Sequence, residues 1–256
     1  MTSEKRRPII AGNWKMNTTP EEGAALAESV LNQSMQLPDL DMVVCPPFTG
    51  LHAVAERLTG SSVSLGAQDM HWESDGAYTG AISAKMLLTL GCRHVILGHS
   101  ERRTIFGESD DHVNRKIHQA LTTGLLPIVC VGESLDERES RRTEQVVTVQ
   151  IRAALSGISE GQMEGLVLAY EPIWAIGTGR VATPEQANSV HHHIRSLVEA
   201  QFGAHVSSAI RIQYGGSVKP DNAHELLSQP DIDGALIGGA SLEADSFIAI
   251  AQAAVS

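Results

Sequence analysis

Short apolar runs alternate along the chain with longer segments that interleave charged and apolar residues at helical spacing. Eight runs stand out: Pro8–Asn13, Met42–Cys45, Val63–Ala67, His94–Gly98, Pro127–Gly132, Leu166–Glu171, Ile210–Tyr214 and Ala235–Gly238. They are rich in Ile, Val and Leu without clean alternation, as strands buried on both faces of a parallel sheet are. The intervening segments read as helices. Pro20–Met35 is rich in Ala, Leu and Glu, and Asp111–Thr123 stops at Gly124, a residue suited to a left-handed cap. Glu137–Leu155 reads as one helix, and Thr183-Pro184-Glu185-Gln186 opens another with Thr as N-cap, Pro in the first position and Gln in the third. Asp221–Leu227 and Leu242–Val255 close the series. Eight strands alternating with helices predict an α/β chain folded as a single closed (β/α)8 barrel domain over residues 1–256. A doubly wound open sheet is the competitor, because periodicity does not encode closure. No linker and no low-complexity segment interrupts the pattern.

Composition narrows the partners. The chain carries a formal net charge of −11, which disfavours nucleic acid and anionic membrane surfaces. An acidic protein that takes an anionic ligand needs a local cation. The cysteines, Cys45, Cys92 and Cys130, are odd in number and lack metal-ligand spacing, so they read as buried reduced thiols. Met1–Arg7 has no apolar core of a leader, and no apolar run reaches membrane length. The expectation is a cytoplasmic protein.

The chemistry-bearing residues gather at one end of the strands. Asn13 and Lys15 follow the first, His99, Ser100 and Glu101 the fourth, Glu171 the sixth, Gly215-Gly216-Ser217 the seventh and Gly238-Gly239 the eighth. In a barrel the C-terminal strand ends share one face, where active sites are built. Either glycine pair alone is equally explained as a chain turn. Two pairs after consecutive late strands favour a phosphate site made of backbone N–H groups. Lys15 then reads as a ligand-facing ammonium rather than a surface lysine. His99, by itself a candidate core histidine, sits where a short helix can begin, and amides at a helix N-terminus disfavour the imidazolium.

The stretch Ala169–Gly179 is the most informative. Glu171 comes off a buried strand and Pro172 ends it. Ile173, Trp174, Ala175 and Ile176 are too apolar for an ordinary loop, and Gly177-Thr178-Gly179 follow. A greasy segment between a proline and glycines reads as a lid that excludes water from a carboxylate base. Three other motifs fail. Gly98-His-Ser-Glu-Arg102 lacks the final glycine of an esterase elbow. Gly177–Ala182 matches a dinucleotide fingerprint but does not come directly off a strand. His191-His192-His193 are consecutive helical residues about 100° apart, unable to converge on one metal ion, and read as surface histidines.

Taken together, Gly12-Asn-Trp-Lys-Met-Asn17, Cys45-Pro-Pro47, Gly98-His-Ser-Glu-Arg-Arg103, Ala169–Gly179, Tyr214-Gly-Gly-Ser217 and Gly238-Gly239 closely resemble the triosephosphate isomerase family, from the first strand to the last. The resemblance implies a closed TIM barrel, a homodimer without metal or cofactor, and a small phosphorylated triose as substrate. The implied reaction interconverts dihydroxyacetone phosphate and D-glyceraldehyde 3-phosphate through an enediol(ate), in glycolysis and gluconeogenesis. It implies Glu171 as the base that moves a proton between adjacent carbons and His99 as the neutral electrophile. Lys15 and Asn13 would stabilise negative charge, with Glu101 supporting Lys15 and His99. Amides near Gly177, Ser217, Gly238 and Gly239 would bind phosphate, under a lid spanning Pro172–Thr178. Gly76–Gly80, with Tyr78 and Thr79, resembles the loop that enters the partner subunit, and Gln68 belongs to the same interface. Three departures stand out: Arg180 where lysine is common, Asp69 where Asn is frequent, and Ala81 where the family usually has Glu, which removes an interface carboxylate. Two other readings remain. One is another phosphate-binding barrel isomerase, epimerase or aldolase, the last with Lys15 as Schiff-base nucleophile. The other is a silent ligand-binding scaffold, against which the set of Asn13, Lys15, His99 and Glu171 argues.

Overall fold

The computed structural model describes residues 6–255. Its eight strands are β1 (Ile9–Asn13), β2 (Asp41–Cys45), β3 (Val63–Ala67), β4 (His94–Leu97), β5 (Leu126–Val131), β6 (Val167–Tyr170), β7 (Arg211–Tyr214) and β8 (Gly234–Ile237). All neighbours pair in parallel and in sequence order, and β8 closes on β1 with Ile9 opposite Gly234 and Gly12 opposite Ile237. Closure removes the open-sheet alternative. Helices between successive strands cover the outside.

Two apolar clusters follow from this layering. Ile9, Ala11, Val43, Cys45, Ile96, Ile128, Cys130, Val167, Ala169 and Leu236 fill the barrel interior. A larger cluster lies between strands and helices. Strand side chains alternate with period two, so the inward series Ile9, Ala11 continues to Asn13, and Val167, Ala169 continues to Glu171. The core pattern thus delivers polar groups to the barrel mouth with no special device. β4 is the exception. Its inward phase would bring residue 98 inside, but Gly98 adopts φ 69°, which rotates the chain and hands the position to His99. A side chain at Gly98 would also meet Val113 and Arg103 at 2.9 Å.

Most helix boundaries follow their capping chemistry. Pro20–Ser34 starts on a Thr19–Glu22 capping box, and Pro184–Phe202 on the Thr183–Gln186 box read from sequence. Asp110–Thr123 ends at Gly124 with φ 88°. The single helix expected over Glu137–Leu155 is instead two, Leu135–Glu139 and Thr143–Ala154. Ser134 and Glu137 box the first one two residues early, and Arg141, at φ 56°, breaks the path between them. The last two helices are shorter than expected, Ala223–Leu227 and Ala244–Ala253. Leu51–Leu58, Ala84–Thr89, Glu160–Met163 and Ala204–Ala209 are further short helices that the apolar periodicity did not reveal.

The surface reading of the three histidines is corrected. His191 is fully buried, in the stripe Ala187, Val190, His191, Ile194, Val198 that turns inward on Pro184–Phe202. Its ring sits edge-on to Tyr170 at 5.8 Å and 6.3 Å from Tyr214, with Nδ1 3.3 Å from the Asp231 carbonyl. His193 is half-buried and bonded to the Thr148 hydroxyl at 2.9 Å, and His192 alone is exposed. The three cysteines are buried and unpaired, as expected.

Burial pushes the His191 imidazole down to about 3 and that of His94 down to about 4. The unfolded chain takes up these protons from about pH 6.5 downward while the folded protein refuses them. Their contribution to stability is therefore complete above pH 6.5 and lost as pH falls. Urea unfolding between pH 6.5 and 4.5 should show a loss approaching about 1.4 kcal/mol per pH unit for each ring. His191→Gln should flatten that slope. A pH-independent unfolding free energy across this window would contradict the burial of both rings.

Candidate active site

A cavity of about 350 Å³ opens at the C-terminal mouth of the barrel. It is lined by Asn13, Lys15, His99, Glu101 and Glu171, by the Gly215–Lys219 turn, by Gly238–Ala240, and by Ile176 and Gly177. The residues that the sequence scatters over five strand ends therefore meet in one place.

Glu171 is its most buried polar group, 2% exposed. One carboxylate oxygen lies 2.9 Å from His99 Nε2, and the other accepts the Ser100 N–H at 2.8 Å. Ser100 opens the helix Ser100–Phe106, so this amide has no partner within the helix. Burial works against the carboxylate, but the His99 ring, the Ser100 amide and the Lys15 cation outweigh it and hold its pKa below the ordinary value. The backbone here has no slack. The Glu171 N–H donates to the Val131 carbonyl at 2.8 Å, and a Cβ on Gly132 would sit 1.7 Å from the Glu171 carbonyl oxygen. On the other side, a Cβ on Gly215 would lie 2.8 Å from the Glu171 side chain.

His99 caps the helix that Ser100 begins, and its Nδ1 accepts the Glu101 N–H at 3.1 Å. That bond uses the Nδ1 lone pair, so the ring is neutral with its proton on Nε2, donated to Glu171. Burial lowers the ring's pKa, while the adjacent carboxylate pulls it upward and prevails in this pose. The upward pull lasts only while Glu171 rests against Nε2. The Glu101 amide on Nδ1 holds the neutral tautomer whichever way the carboxylate moves.

Lys15 takes the left-handed backbone conformation, φ 54°, uncommon for a side-chain-bearing residue. Two contacts hold it there. Asn13 Oδ1 accepts the Lys15 N–H at 3.1 Å, and Gln68 Nε2 donates to the Lys15 carbonyl at 2.8 Å and to the Cys45 carbonyl at 2.9 Å. The twist carries Nζ to 2.6 Å from Glu101, and a Cβ on Gly238 would lie 3.3 Å from Lys15 Cε. The ammonium thus stands beside the eighth-strand glycines. Asn13 keeps its Nδ2 donors for the cavity it lines.

The segment after Glu171 is anchored at one end and exposed at the other. Pro172 and Ala175 are buried, Ile173, Trp174 and Ile176 half-buried, and Gly177 through Arg180 exposed. Ile173–Ala175 forms one tight turn, and the Thr178 hydroxyl donates to the Trp174 carbonyl at 2.7 Å. The anchor is a residue that sequence reasoning missed. Glu133, wholly buried, accepts the Trp174 indole N–H at 2.9 Å, and the Tyr170 hydroxyl lies 3.0 Å from one of its oxygens. Its carbonyl also takes the Ile173 N–H at 3.1 Å. The available signal was the one used for Glu171: a carboxylate directly after an apolar strand. Two other residues were missed. Lys219, two residues past Ser217, lines the same cavity, and the Cys130 thiol lies beside Glu171, its pKa pushed well up by burial.

The interface candidates differ in their surroundings. Tyr78 and Thr79 are exposed, with the Tyr78 ring 4.3 Å from that of His71, whereas Gln68 spends its amide inside the chain on Lys15 and Cys45. Asp69 is ion-paired with Lys116 at 2.6 Å and with Arg102 at 3.0 Å. Among the described residues no cluster of His, Cys, Asp and Glu has the arrangement of a metal site, and no helix is long and apolar enough to cross a membrane.

Comparison with known proteins agrees with this geometry. The family model described as triosephosphate isomerase matches residues 8–254. The chain is 56% identical over 247 residues to the triosephosphate isomerase of Herpetosiphon aurantiacus, covering 96% of this chain and 99% of that protein. It is 53% identical over 251 residues to that of Rhodopirellula baltica, covering 98% and 99%. It is 51% identical over 250 residues to that of Carboxydothermus hydrogenoformans, covering 98% and 100%. With eight parallel strands closed into a barrel and matches running through nearly all of its length, the chain belongs to the triosephosphate isomerase family.

Proposed function

We propose that this chain catalyses the interconversion of dihydroxyacetone phosphate and D-glyceraldehyde 3-phosphate, with Glu171 and His99 as its proton-transfer pair. The observation that carries the reading is the juxtaposition of a buried, ionised carboxylate with a neutral imidazole that offers an Nε2 proton, 2.9 Å apart, next to an ammonium.

The chemistry follows from what each group can do. Removing a proton beside a carbonyl builds negative charge on oxygen. The substrate phosphate sits against the amides of Ser217, Gly238 and Gly239, with Gly177 added as the lid closes, and with Lys15 balancing the charge. The substrate carbonyl takes the hydrogen bonds of His99 Nε2 and Asn13 Nδ2. Glu171 exchanges its hold on Ser100 and His99 for the neighbouring carbon and abstracts its proton. His99 gives its Nε2 proton to the charged oxygen and takes one from the adjacent hydroxyl. Glu171 then returns its proton to the other carbon, so every group ends as it began. General base help is worth about 10²–10⁴-fold, and each donor aimed at the oxyanion about 3 kcal/mol. The chain supplies base, acid and cation itself, so the reading needs no cofactor. The lid of Pro172–Thr178 keeps water from the enediolate. An aldolase using Lys15 as nucleophile fits less well, because the Glu101 ion pair suits a charged donor. A coupled assay that follows glyceraldehyde 3-phosphate into dihydroxyacetone phosphate tests the activity directly, and borohydride trapping with substrate tests the aldolase.

We further read the chain as one cytoplasmic domain that works as a homodimer. Support for the dimer comes from apolar side chains exposed on the segments after β1 to β4, Met16 at 95% with Phe48, Tyr78, Ile105 and Phe106. The three buried thiols are in keeping with a reducing compartment. Sedimentation equilibrium at micromolar protein should return twice the chain mass of 27.4 kDa. A monomer under those conditions would reject the dimer, Ala81 included.

Glu171→Asp retracts the base by about 1 Å and should lower kcat about a hundredfold with little change in KM. Near wild-type turnover would remove Glu171 from the base's role. Gly132→Ala leaves every reacting group chemically intact but forces the Glu171 backbone, and with it the base, out of position. Its kcat should also fall on the order of a hundredfold, and a silent substitution would mean that the backbone beneath the base tolerates displacement.

A further inference from the structure

Arg138 projects from the short helix Leu135–Glu139, outside the cavity, and the mechanism above does not use it. It makes two contacts with the base of the lid. Its Nη1 lies 3.0 Å from Glu133 Oε1, and its guanidinium carbon lies 4.5 Å from the centre of the Trp174 ring. Among the described residues it is the one cation paired with Glu133, a carboxylate that is 0% exposed. Glu133 in turn holds the edge of the same indole through its N–H at 2.9 Å. The Trp174 ring is therefore gripped on an edge by an anion and on a face by the cation that neutralises that anion. The three groups form a closed triangle.

We propose that Arg138 is a positioning residue that sets the lid's open–closed balance by clamping Trp174 in the observed arrangement, an open one in that Gly177 through Arg180 stand exposed and the Glu171 carboxylate rests on the Ser100 amide. The inference rests on the lid reading above. Trp174 lies in the turn Ile173–Ala175, at the anchored end of the segment, so a lid that pivots there must carry the indole with it. A planar guanidinium stacked on an aromatic face is directional, and displacement of the ring forfeits it. Glu133 and Arg138 stay behind on the β5 side, still paired with each other. The clamp therefore favours only the open form. A contact made in one of two states shifts their populations by its full strength, and a ligand that requires the other state binds more weakly by the same factor.

The test is the variant Arg138→Lys, which keeps a cation for Glu133 but has no planar face for the indole. The probe is 2-phosphoglycolate, a phosphorylated acid that carries the charges of the enediolate. Its inhibition constant should fall by roughly threefold to tenfold, the size of one cation–π contact. KM should fall in step and kcat should not rise. A residue that merely scaffolds the loop would give the opposite sign, with weaker inhibitor binding and a raised KM. An unchanged or weakened inhibition constant overturns the proposal.

A second measurement uses the unmodified protein. In a ¹⁵N-arginine spectrum, saturation with 2-phosphoglycolate should move the Arg138 side-chain resonance as the indole ring current leaves it. If that resonance stays still while the ligand binds, the clamp does not release and the proposal fails. If wild-type protein neither binds the probe nor turns over triose phosphate, the isomerase reading itself is at fault.

Discussion

A carboxylate kept charged inside a barrel is the constraint on which the rest of the site depends. Glu171 is as buried as the aliphatic core beneath it, and burial by itself pushes its pKa upward, against the charged form. The Ser100 amide, the His99 ring and the Lys15 cation outweigh this, the first two placed by the end of β4 and the third by the end of β1. No local segment can assemble that environment. It requires the closed sheet, which brings the ends of β1, β4 and β6 to one rim. The fold here is the means by which one anion is desolvated without losing its charge.

The same logic explains why the surroundings of the site are so tightly fitted. Lys15 occupies a disfavoured backbone region because its ammonium must turn back over the mouth, and Asn13 and Gln68 hold it there. Gly132 and Gly215 leave no room for side chains because the Glu171 backbone and side chain fill that space. His99 owes its tautomer to the amide of the residue two further on. The left-handed backbone of Lys15 and the close approaches at Gly132 and Gly215 lie where charge is handled, while most outer helices begin and end on ordinary caps.

Much of this was legible in the sequence, and the reasons are specific. The eight strands were visible because strands buried on both faces are apolar without interruption, and Asn13, His99, Glu171 and the two glycine pairs stood out by following such runs directly. Closure was not legible, because an open and a closed sheet share one periodicity. Glu133 was missed although it also follows an apolar strand, since the Gly132-Glu133-Ser134 sequence carries no distinguishing neighbour. The break at Arg141 was hidden because a left-handed arginine leaves no mark in composition. His191 was misplaced when three adjacent histidines were judged as a group, although the stripe from Ala187 to Val198 pointed one of them inward. Gln68 shows a different gap: nothing in its sequence position announced that its amide serves the backbone of Lys15.

The rotation at Gly98 reaches beyond its own strand. β4 drops one beat of the two-residue alternation at its last step. That slip turns what would have been another core-facing side chain into a helix cap whose ring nitrogens have unlike partners, a backbone amide on one side and a carboxylate on the other. A barrel of this kind is therefore not limited to the chemistry its alternating core would expose. One dihedral angle at a strand's exit is enough to decide whether the next residue becomes packing or reagent.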